Sequence, residues 1–205
     1  MKKFIAIAGN MGIGKTTLTK KLAEHLNWQP YLEPFKQNPY LEDFYKDMQK
    51  WAYHSQMFFL GKRVEEYYNL LKEKKSVVQD RTFYENAEVF AKNLYRKGLI
   101  NKRDWAVYQN FYRTYVSMLP APDLVIYLRA STDMIMDRIE KRSRDFEKNI
   151  EREYVDELND LYDEWISDFE GAQVLSISYD DLDLKNSNID FQSFLDAIKD
   201  YIKEV

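Results

Sequence analysis

Residues 9–16 read Gly9-Asn10-Met11-Gly12-Ile13-Gly14-Lys15-Thr16, a full match to the pattern G-x-x-x-x-G-K-[ST]. An apolar run, residues 4–8, precedes this stretch and suits a buried strand, and leucines at helical spacing follow it over residues 17–26. In such a loop the glycines let backbone N–H groups turn inward around phosphate oxygens, Lys15 supplies a cation for the β- and γ-phosphates, and the Thr16 hydroxyl suits Mg²⁺. A glycine turn without a ligand would not explain Lys15 and Thr16. The stretch therefore predicts a nucleoside triphosphate site between a strand and a helix, to which we also assign Thr17.

The composition narrows the class of protein. The chain has 205 residues with 30 Lys+Arg against 34 Asp+Glu, a net charge of −4, whereas nucleic-acid binders usually carry a basic excess. It contains no cysteine, which excludes disulfides and thiolate metal sites. The first residues do not resemble a signal peptide, and no apolar stretch approaches the length of a transmembrane helix. We therefore expect a cytoplasmic protein with no nucleic-acid partner and no membrane attachment.

Short apolar runs alternate with longer helical patterns along the chain. The predicted strands are residues 4–8, 31–32, 76–79, 124–128 and 174–177, of which 31–32 is the weakest. The predicted helices cover residues 17–26, 53–74, 85–97, 102–119, 131–141, 152–169 and 191–203. This alternation indicates a three-layer α/β fold, in which helices flank a parallel five-stranded sheet, as one domain over residues 1–205. Binding sites in such sheets lie beyond the carboxyl ends of the strands.

Two acids follow predicted strands at that edge. Glu33 follows the second strand, where a carboxylate can accept a proton from a hydroxyl near the γ-phosphate, although a solvated loop acid would look the same. Asp80 follows the third strand and is suited to hold Mg²⁺, and the adjacent Arg81 can neutralise charge on a transferring phosphoryl group. A helix-capping acid beside a surface arginine is the alternative interpretation. The position after an apolar strand favours functional roles for Asp80 and Arg81.

Three arginines, Arg138, Arg142 and Arg144, fall within seven residues. Arg138 and Arg142 are four apart and therefore share one helix face. Arginines where a helix passes into a polar loop are typical of a lid that closes over a triphosphate, which we place at about residues 142–150. Alternatively, these arginines only stabilise the C-terminus of the helix by interacting with its dipole.

Four further segments, taken in order with the loop, resemble one family. They read E-P-F-K-Q-N-P-Y from residue 33, Q-M-F-F-L-G-K-R from residue 56, D-R-T-F-Y-E-N-A-E-V-F-A-K-N-L-Y from residue 80 and R-I-E-K-R-S-R-D-F-E from residue 138. With this series the chain is similar to the deoxyribonucleoside kinases over nearly its whole length, and most to the bacterial deoxyadenosine and deoxyguanosine kinases. The resemblance implies a P-loop kinase fold with an arginine-bearing lid, ATP and Mg²⁺ as cofactors, and a homodimer. The implied reaction is phosphorylation of the 5′-hydroxyl of a 2′-deoxyribonucleoside, deoxyadenosine first, in nucleotide salvage.

The resemblance also implies roles for individual residues. Glu33 is expected to take the proton of the 5′-hydroxyl, with Asp80 as the second candidate and, beside Thr16, as a Mg²⁺ ligand. Arg81 is expected to hold Glu33 and the phosphate. The expected substrate-binding residues are Tyr45 and Glu147 at the sugar 3′-hydroxyl, Gln56 and Phe90 at the base, and Arg63 with Asn86 at the far end of the base. The lid residues expected at ATP are Arg138, Arg142 and Arg144.

Two positions depart from the residues usual in the family. Asn86 stands where many relatives carry Asp, which leaves the preferred base open, and deoxycytidine stays possible because the Gln56 amide can serve either ring. Phe146 stands where relatives often carry an acidic residue, so Glu147 alone remains there to bind the sugar. The acidic segment 179–184 is expected near the adenine of ATP.

Two other functions stay open on the sequence alone. A nucleoside monophosphate kinase shares this fold and lid, but Glu33 and Glu147 would repel its acceptor phosphate. A nucleotide-binding switch would need a residue that positions water and segments that switch, and the sequence shows neither.

Overall fold

Five parallel strands form one sheet at the centre of the molecule. The computed structural model describes residues 2–32, 37–144, 147, 150–179 and 188–204. The strands are β1 (Phe4–Gly9), β2 (Gln29–Tyr31), β3 (Val77–Asp80), β4 (Leu124–Arg129) and β5 (Gln173–Ser178). Their order in the sheet is β2-β3-β1-β4-β5, with every neighbouring pair parallel. The predicted three-layer α/β fold is confirmed.

Helices connect the strands and cover both faces of the sheet. They are α1 (Lys15–Leu26), α2 (Leu41–Lys46), α3 (Met48–Lys72), α4 (Phe83–Glu85), α5 (Lys92–Arg96), α6 (Lys102–Met118), α7 (Thr132–Arg142), α8 (Arg152–Asp168) and α9 (Asn188–Glu204). A π-helical turn, Asn86–Ala91, joins α4 to α5. None of the described helices is both long and apolar enough to cross a bilayer.

Alternate residues of the strands pack into two separate cores. In β1, Phe4, Ala6 and Ala8 face a core with α3, α6 and α8, whereas Ile5 and Ile7 face a core with α1 and α9. All six residues of β1 are buried, as expected for the central strand of a parallel sheet covered on both sides. This double burial explains why the strands appear in the sequence as apolar runs.

The structure differs from the predicted helices mainly between β2 and β3. Helix α2 was not predicted, and α3 begins at Met48 instead of residue 53. The start of α3 is set by Asp47, whose side chain accepts a hydrogen bond from the Lys50 N–H. Met48, Trp51 and Ala52 have helical spacing, so the sequence contains a signal for this first turn that the prediction did not use.

The pairing register brings the ends of the central strands to one edge. Ile7 of β1 lies opposite Asp80 of β3 and Ile126 of β4. Gly9, with φ 143°, then leads into the loop, and a Cβ there would lie 2.8 Å from the Leu128 carbonyl oxygen. Only glycine therefore fits where the loop leaves the sheet.

Arg81 holds an unusual backbone conformation directly after β3. Its φ is 67°, in the left-handed region, and its N–H donates to the Ile7 carbonyl oxygen at 3.0 Å. A non-glycine residue in this region has a steric cost, so the surrounding hydrogen bonds must hold it there. The turn after β3 is therefore a strained point of the fold.

Two substitutions at residue 81 test this strain. Arg81→Gly and Arg81→Ala remove the same side-chain contacts, but only alanine keeps the Cβ that the left-handed conformation disfavours. We expect the free energy of unfolding of R81G to exceed that of R81A by about 1 kcal/mol in urea titrations followed by circular dichroism. The control pair is at Lys97, where φ is −76° and alanine should be the more stable residue. An R81A as stable as R81G would contradict a strained turn.

Candidate active site

One cavity of about 440 Å³ lies beyond the carboxyl edge of the sheet and joins the two halves of the predicted site. Its walls come from the phosphate loop, from α2 and α3, from the segment after β3 and from the end of α7. The predicted residues that line it are Met11, Gly12, Gly14, Lys15, Thr16, Thr17, Tyr45, Gln56, Arg81, Asn86, Phe90, Arg142, Arg144 and Glu147. The described residues thus place the loop and the expected substrate side chains around a single space.

The phosphate loop is anchored to α8 from behind. Asn10 is buried, and its side-chain amide donates to the Val155 carbonyl oxygen at 3.1 Å and to Asn159 Oδ1 at 2.8 Å. The Lys15 ammonium donates to the Asn10 carbonyl oxygen at 2.8 Å and also lines the cavity. Gly14 adopts φ 108° where α1 begins. The helix N-terminus and the lysine therefore both face the space in which a triphosphate would lie.

Asp80 and Thr16 form a buried oxygen pair next to the loop. Asp80 is fully buried, and the Thr16 hydroxyl donates to its Oδ2. The other oxygen, Oδ1, has no hydrogen-bond partner among the described residues. Within the part of the chain that the structure describes, no three His, Cys, Asp or Glu residues cluster as a metal cage. One carboxylate and one hydroxyl suit Mg²⁺, which takes its remaining ligands from phosphates and water.

Two amide side chains present oxygens in the apolar part of the cavity. Gln56 and Asn86 are buried, and Gln56 Oε1 and Asn86 Oδ1 find no hydrogen-bond partner among the described residues. A buried acceptor without a partner is costly unless a ligand supplies the donor. The neighbouring walls are aromatic, with Phe44, Phe59 and Phe90 among them. A flat ring that carries an N–H donor fits this end of the cavity.

Arg81 reaches into the cavity over an aromatic face. Its guanidinium carbon lies 4.3 Å from the centre of the Phe90 ring. The side chain is nearly buried, so its charge is poorly screened by water. A cation therefore lines the same cavity as the phosphate loop and the two amide side chains.

Arg142 and Arg144 are both paired with Glu147 in this structure. The Arg142 Nη2 lies 2.6 Å from each oxygen of the Glu147 carboxylate, its Nε donates to Oε2 at 3.0 Å, and the Arg144 Nη1 is 3.4 Å from Oε1. The Glu147 side chain is only 5 % exposed. Two of the three predicted lid arginines therefore meet Glu147, the residue predicted for the sugar, at the cavity wall.

Outside the phosphate loop, three predicted residues lie away from the cavity wall. Arg138 donates to the Ile13 carbonyl oxygen at 2.6 Å and stacks on Tyr179, with 3.8 Å between the guanidinium carbon and the ring centre. Arg63 is buried on the same face of α3 as Gln56 and pairs with Glu66 at 2.9 Å. Asp80 lies behind Thr16. Some predicted positions fall outside the described part of the chain: Glu33, residues 145, 148 and 149 of the lid together with Phe146, and residues 180–184.

Two residues with prominent roles in the structure were not predicted from the sequence. Tyr154 of α8 lines the cavity, and burial raises the pKa of its hydroxyl. Glu85 lies behind the loop, where burial raises the pKa of its carboxyl against the opposing effect of Arg81 and Lys15. Glu85 was detectable, because Thr82-Phe83-Tyr84-Glu85 has the T-x-x-E spacing of a capping box. Nothing in the local sequence distinguishes Tyr154 from an ordinary core tyrosine.

Comparison with known proteins identifies the family. The chain matches the deoxynucleoside kinase family over residues 5–203. It is 37 % identical over 202 residues to the deoxyadenosine/deoxycytidine kinase of Bacillus subtilis (strain 168), covering 98 % of this chain and 93 % of that protein. It is 32 % identical to the deoxyguanosine kinase of the same organism, with 97 % of both chains covered.

A solved structure agrees with these matches. The deoxyadenosine kinase from M. mycoides, with the products dCMP and a flexible dCDP bound, superimposes with a TM-score of 0.83 at 31 % identity, covering 96 % of this chain and 98 % of that one. Both the sequence and the fold thus lead to one conclusion: this chain belongs to the deoxynucleoside kinase family and is a phosphotransferase.

Proposed function

We propose that this kinase transfers the γ-phosphoryl group of ATP to the 5′-hydroxyl of 2′-deoxyadenosine and, as a second substrate, of 2′-deoxycytidine, in nucleotide salvage. The proposal rests on two buried oxygens, Gln56 Oε1 and Asn86 Oδ1, for which the described part of the chain provides no hydrogen-bond partner. They lie in an aromatic cavity that continues to the phosphate loop. The whole chain, residues 1–205, would act as one kinase domain with its lid at about residues 142–150. We further propose a cytoplasmic location, where ATP is abundant, and no nucleic-acid or membrane partner.

The base preference is supported by hydrogen-bond complementarity. Adenine and cytosine carry an amino donor beside a ring-nitrogen acceptor, and an amide such as Gln56 can pair with both atoms. Guanine and thymine present a carbonyl oxygen where that amino group would be. Each amide can rotate and offer its NH₂ instead, so we propose a preference and not an absolute selection. The Bacillus subtilis relative is itself named for deoxyadenosine and deoxycytidine.

The sugar is proposed to bind between Tyr45 and Glu147, with Phe90 against the base and Arg63 supporting its far end together with Asn86. Tyr45 and Glu147 line the cavity, and Glu147 can accept a hydrogen bond from the 3′-hydroxyl.

Arg142 and Arg144 are proposed to leave their ion pairs with Glu147 and bind the phosphates of ATP, together with Arg138. Closure over both ligands would exclude water, which otherwise competes with the sugar for the phosphoryl group.

We propose that the enzyme accelerates phosphoryl transfer by stabilising negative charge and by holding the two reactants in line. Lys15 and Arg81 stabilise charge that spreads over the transferring group, and the loop N–H groups hold the donor in line. Glu33 orients the 5′-hydroxyl and takes its proton, with Asp80 as the second candidate. Thr16 and Asp80 are the residues that would hold Mg²⁺, which neutralises phosphate charge when bound.

A homodimer is also proposed, on the evidence of an exposed apolar face. Six large apolar side chains on α3 and α6 are each more than a third exposed. They are Tyr68, Leu71, Val107, Phe111, Val116 and Met118. Val107, Phe111 and Met118 recur at helical spacing, which makes a stripe along α6. Gly61 lies on α3, and a Cβ placed there would have no atom of this chain's described residues within 4 Å. A helix of the partner subunit could therefore approach α3 closely at this position.

A phosphorylation panel tests the proposed reaction. The protein is incubated with radiolabelled ATP, Mg²⁺ and each of the four deoxynucleosides, adenosine or dAMP. We expect kcat/KM for deoxyadenosine and deoxycytidine to exceed the values for deoxyguanosine and thymidine by about 10-fold or more, the effect of one mismatched buried hydrogen bond. Adenosine and dAMP should be poorer still. A preference for dAMP would replace the proposal with a monophosphate kinase.

Glu33→Gln and Asp80→Asn separate the two candidate bases. We expect E33Q to lower kcat by about 10²–10⁴-fold with little change in the KM for deoxyadenosine, because a glutamine cannot take the proton. D80N should raise the Mg²⁺ concentration needed for half-maximal rate, and excess Mg²⁺ should restore part of its activity. The control is E42Q, an exposed acid of α2. Near-native turnover of E33Q would exclude Glu33 as the base.

The dimer is tested with a charge placed in the apolar stripe. Phe111→Lys should convert a particle of about twice 24.7 kDa into a monomer in sedimentation equilibrium, because a buried unpaired lysine is costly at an interface. Asp160→Lys, on the exposed side of α8, is the control and should stay dimeric. A wild-type protein that sediments as a monomer at micromolar concentration would contradict the proposal.

A further inference from the structure

Glu85 is a fully buried carboxylate immediately behind the phosphate loop. It accepts hydrogen bonds from three parts of the fold: from the Gly9 N–H at 3.3 Å, from the Thr82 N–H at 2.8 Å and from the Tyr162 hydroxyl at 2.8 Å. It does not line the cavity. The side chain is therefore out of reach of the substrates but in contact with the segments that hold them.

We infer that Glu85 is a positioning residue that ties the turn carrying Arg81 to the start of the phosphate loop, so that the guanidinium and the loop keep a fixed relative position. The inference rests on the role proposed above for Arg81. Glu85 would then contribute to the rate of phosphoryl transfer without binding either substrate.

The backbone around Arg81 supports this assignment. Arg81 is left-handed, with φ 67°, and its N–H is bonded to the Ile7 carbonyl oxygen of β1. The next N–H, that of Thr82, is bonded to Glu85. The same carboxylate also accepts from Gly9, two residues after Ile7 on β1. The strained turn is thus connected to one strand both directly and through Glu85.

Side-chain packing closes a ring of contacts around the same point. The Tyr162 ring lies edge-on to Phe90, with ring centres 6.3 Å apart, and Phe90 packs on the Arg81 guanidinium at 4.3 Å. Tyr162 in turn donates to Glu85. A loss of the carboxylate would therefore loosen Arg81 from both its backbone and its aromatic support.

The hydrogen-bond chemistry explains why a carboxylate is needed. The Gly9 and Thr82 N–H groups can only donate, and a carboxylate offers an acceptor oxygen to each. A glutamine in this place has one oxygen, and its NH₂ would face a donor. Glu85→Gln therefore keeps the shape of the side chain but breaks part of the connection.

A double-mutant cycle separates this role from a general contribution to stability. Wild type, E85Q, R81A and the double variant are compared by single-turnover and steady-state kinetics with ATP and deoxyadenosine, and their Tm is recorded. We expect E85Q to lower kcat by about 10-fold or more while KM for deoxyadenosine changes by less than about 3-fold. In the R81A background the same substitution should change the rate by less than about 2-fold, because Glu85 acts through Arg81.

Tyr162→Phe provides a milder second variant, and Tyr127→Phe its control. Y162F removes one donor to Glu85, and its smaller loss of kcat should also vanish in the R81A background; this cycle decides the question if E85Q does not fold. Tyr127 stacks on Tyr162 and its hydroxyl donates to Asp163, so Y127F removes a similar buried hydroxyl without touching Glu85 and should keep the wild-type kcat.

Two results would overturn the inference. One is a wild-type kcat for E85Q, and the other is an equal loss in both backgrounds. A near-native kcat for R81A alone would instead contradict the role proposed for Arg81.

Discussion

The parallel pairing of β1 with β3 is the constraint on which the site depends. With Ile7 opposite Asp80, the phosphate loop and the segment after β3 leave the sheet side by side. Asp80 can then accept from Thr16, and the Arg81 N–H can reach the Ile7 carbonyl oxygen. A slip of one residue would turn each side chain of β3 to the opposite face and separate these groups. The burial of β3 on both faces opposes such a slip, because Asp80 would turn from Thr16 toward the apolar core on the other side of the sheet.

Two cations and two buried acids lie close together in this region. Lys15 and Arg81 lie at the cavity, where they can meet phosphate oxygens, and Asp80 and Glu85 lie just behind them. Burial raises the pKa of Glu85, whereas the two cations act in the opposite direction. Asp80 accepts from the Thr16 hydroxyl and Glu85 accepts from the Gly9 and Thr82 N–H groups, so both acids lie next to the cations without occupying the space a triphosphate needs. At the lid, Glu147 pairs directly with Arg142 and Arg144.

Much of the fold was predictable because its signals are local. The central strands are apolar runs buried on both faces, and G-x-x-x-x-G-K-[ST] specifies the loop between β1 and α1. The resemblance to a family predicted the side chains around the cavity, and Gln56, Asn86 and Phe90 do line it. Helix α2 was not predicted, because its six residues are too short for a periodic pattern to stand out, although Leu41, Phe44 and Tyr45 have helical spacing. The helix over residues 85–97 was predicted, but its π-helical winding has no signature in the sequence. The spacing T-x-x-E marks Glu85 as a helix-capping residue, but its contacts with Gly9 and Tyr162, which are 76 and 77 residues away in the chain, have no local signal.

The wide turn Asn86–Ala91 has a consequence for how the base end of the cavity can vary. An α-helix advances by about 100° per residue, and a π-helical turn holds one residue more than an α-helical turn. The extra residue therefore lets Asn86 and Phe90, four apart, lie nearly one full turn apart. Loss of one residue there would restore regular winding and leave the segments on both sides of the turn nearly in phase, with the length difference confined to the wall of the base end of the cavity. Chains that differ by one residue here can thus present the same faces before and after the turn while the pocket wall between them differs.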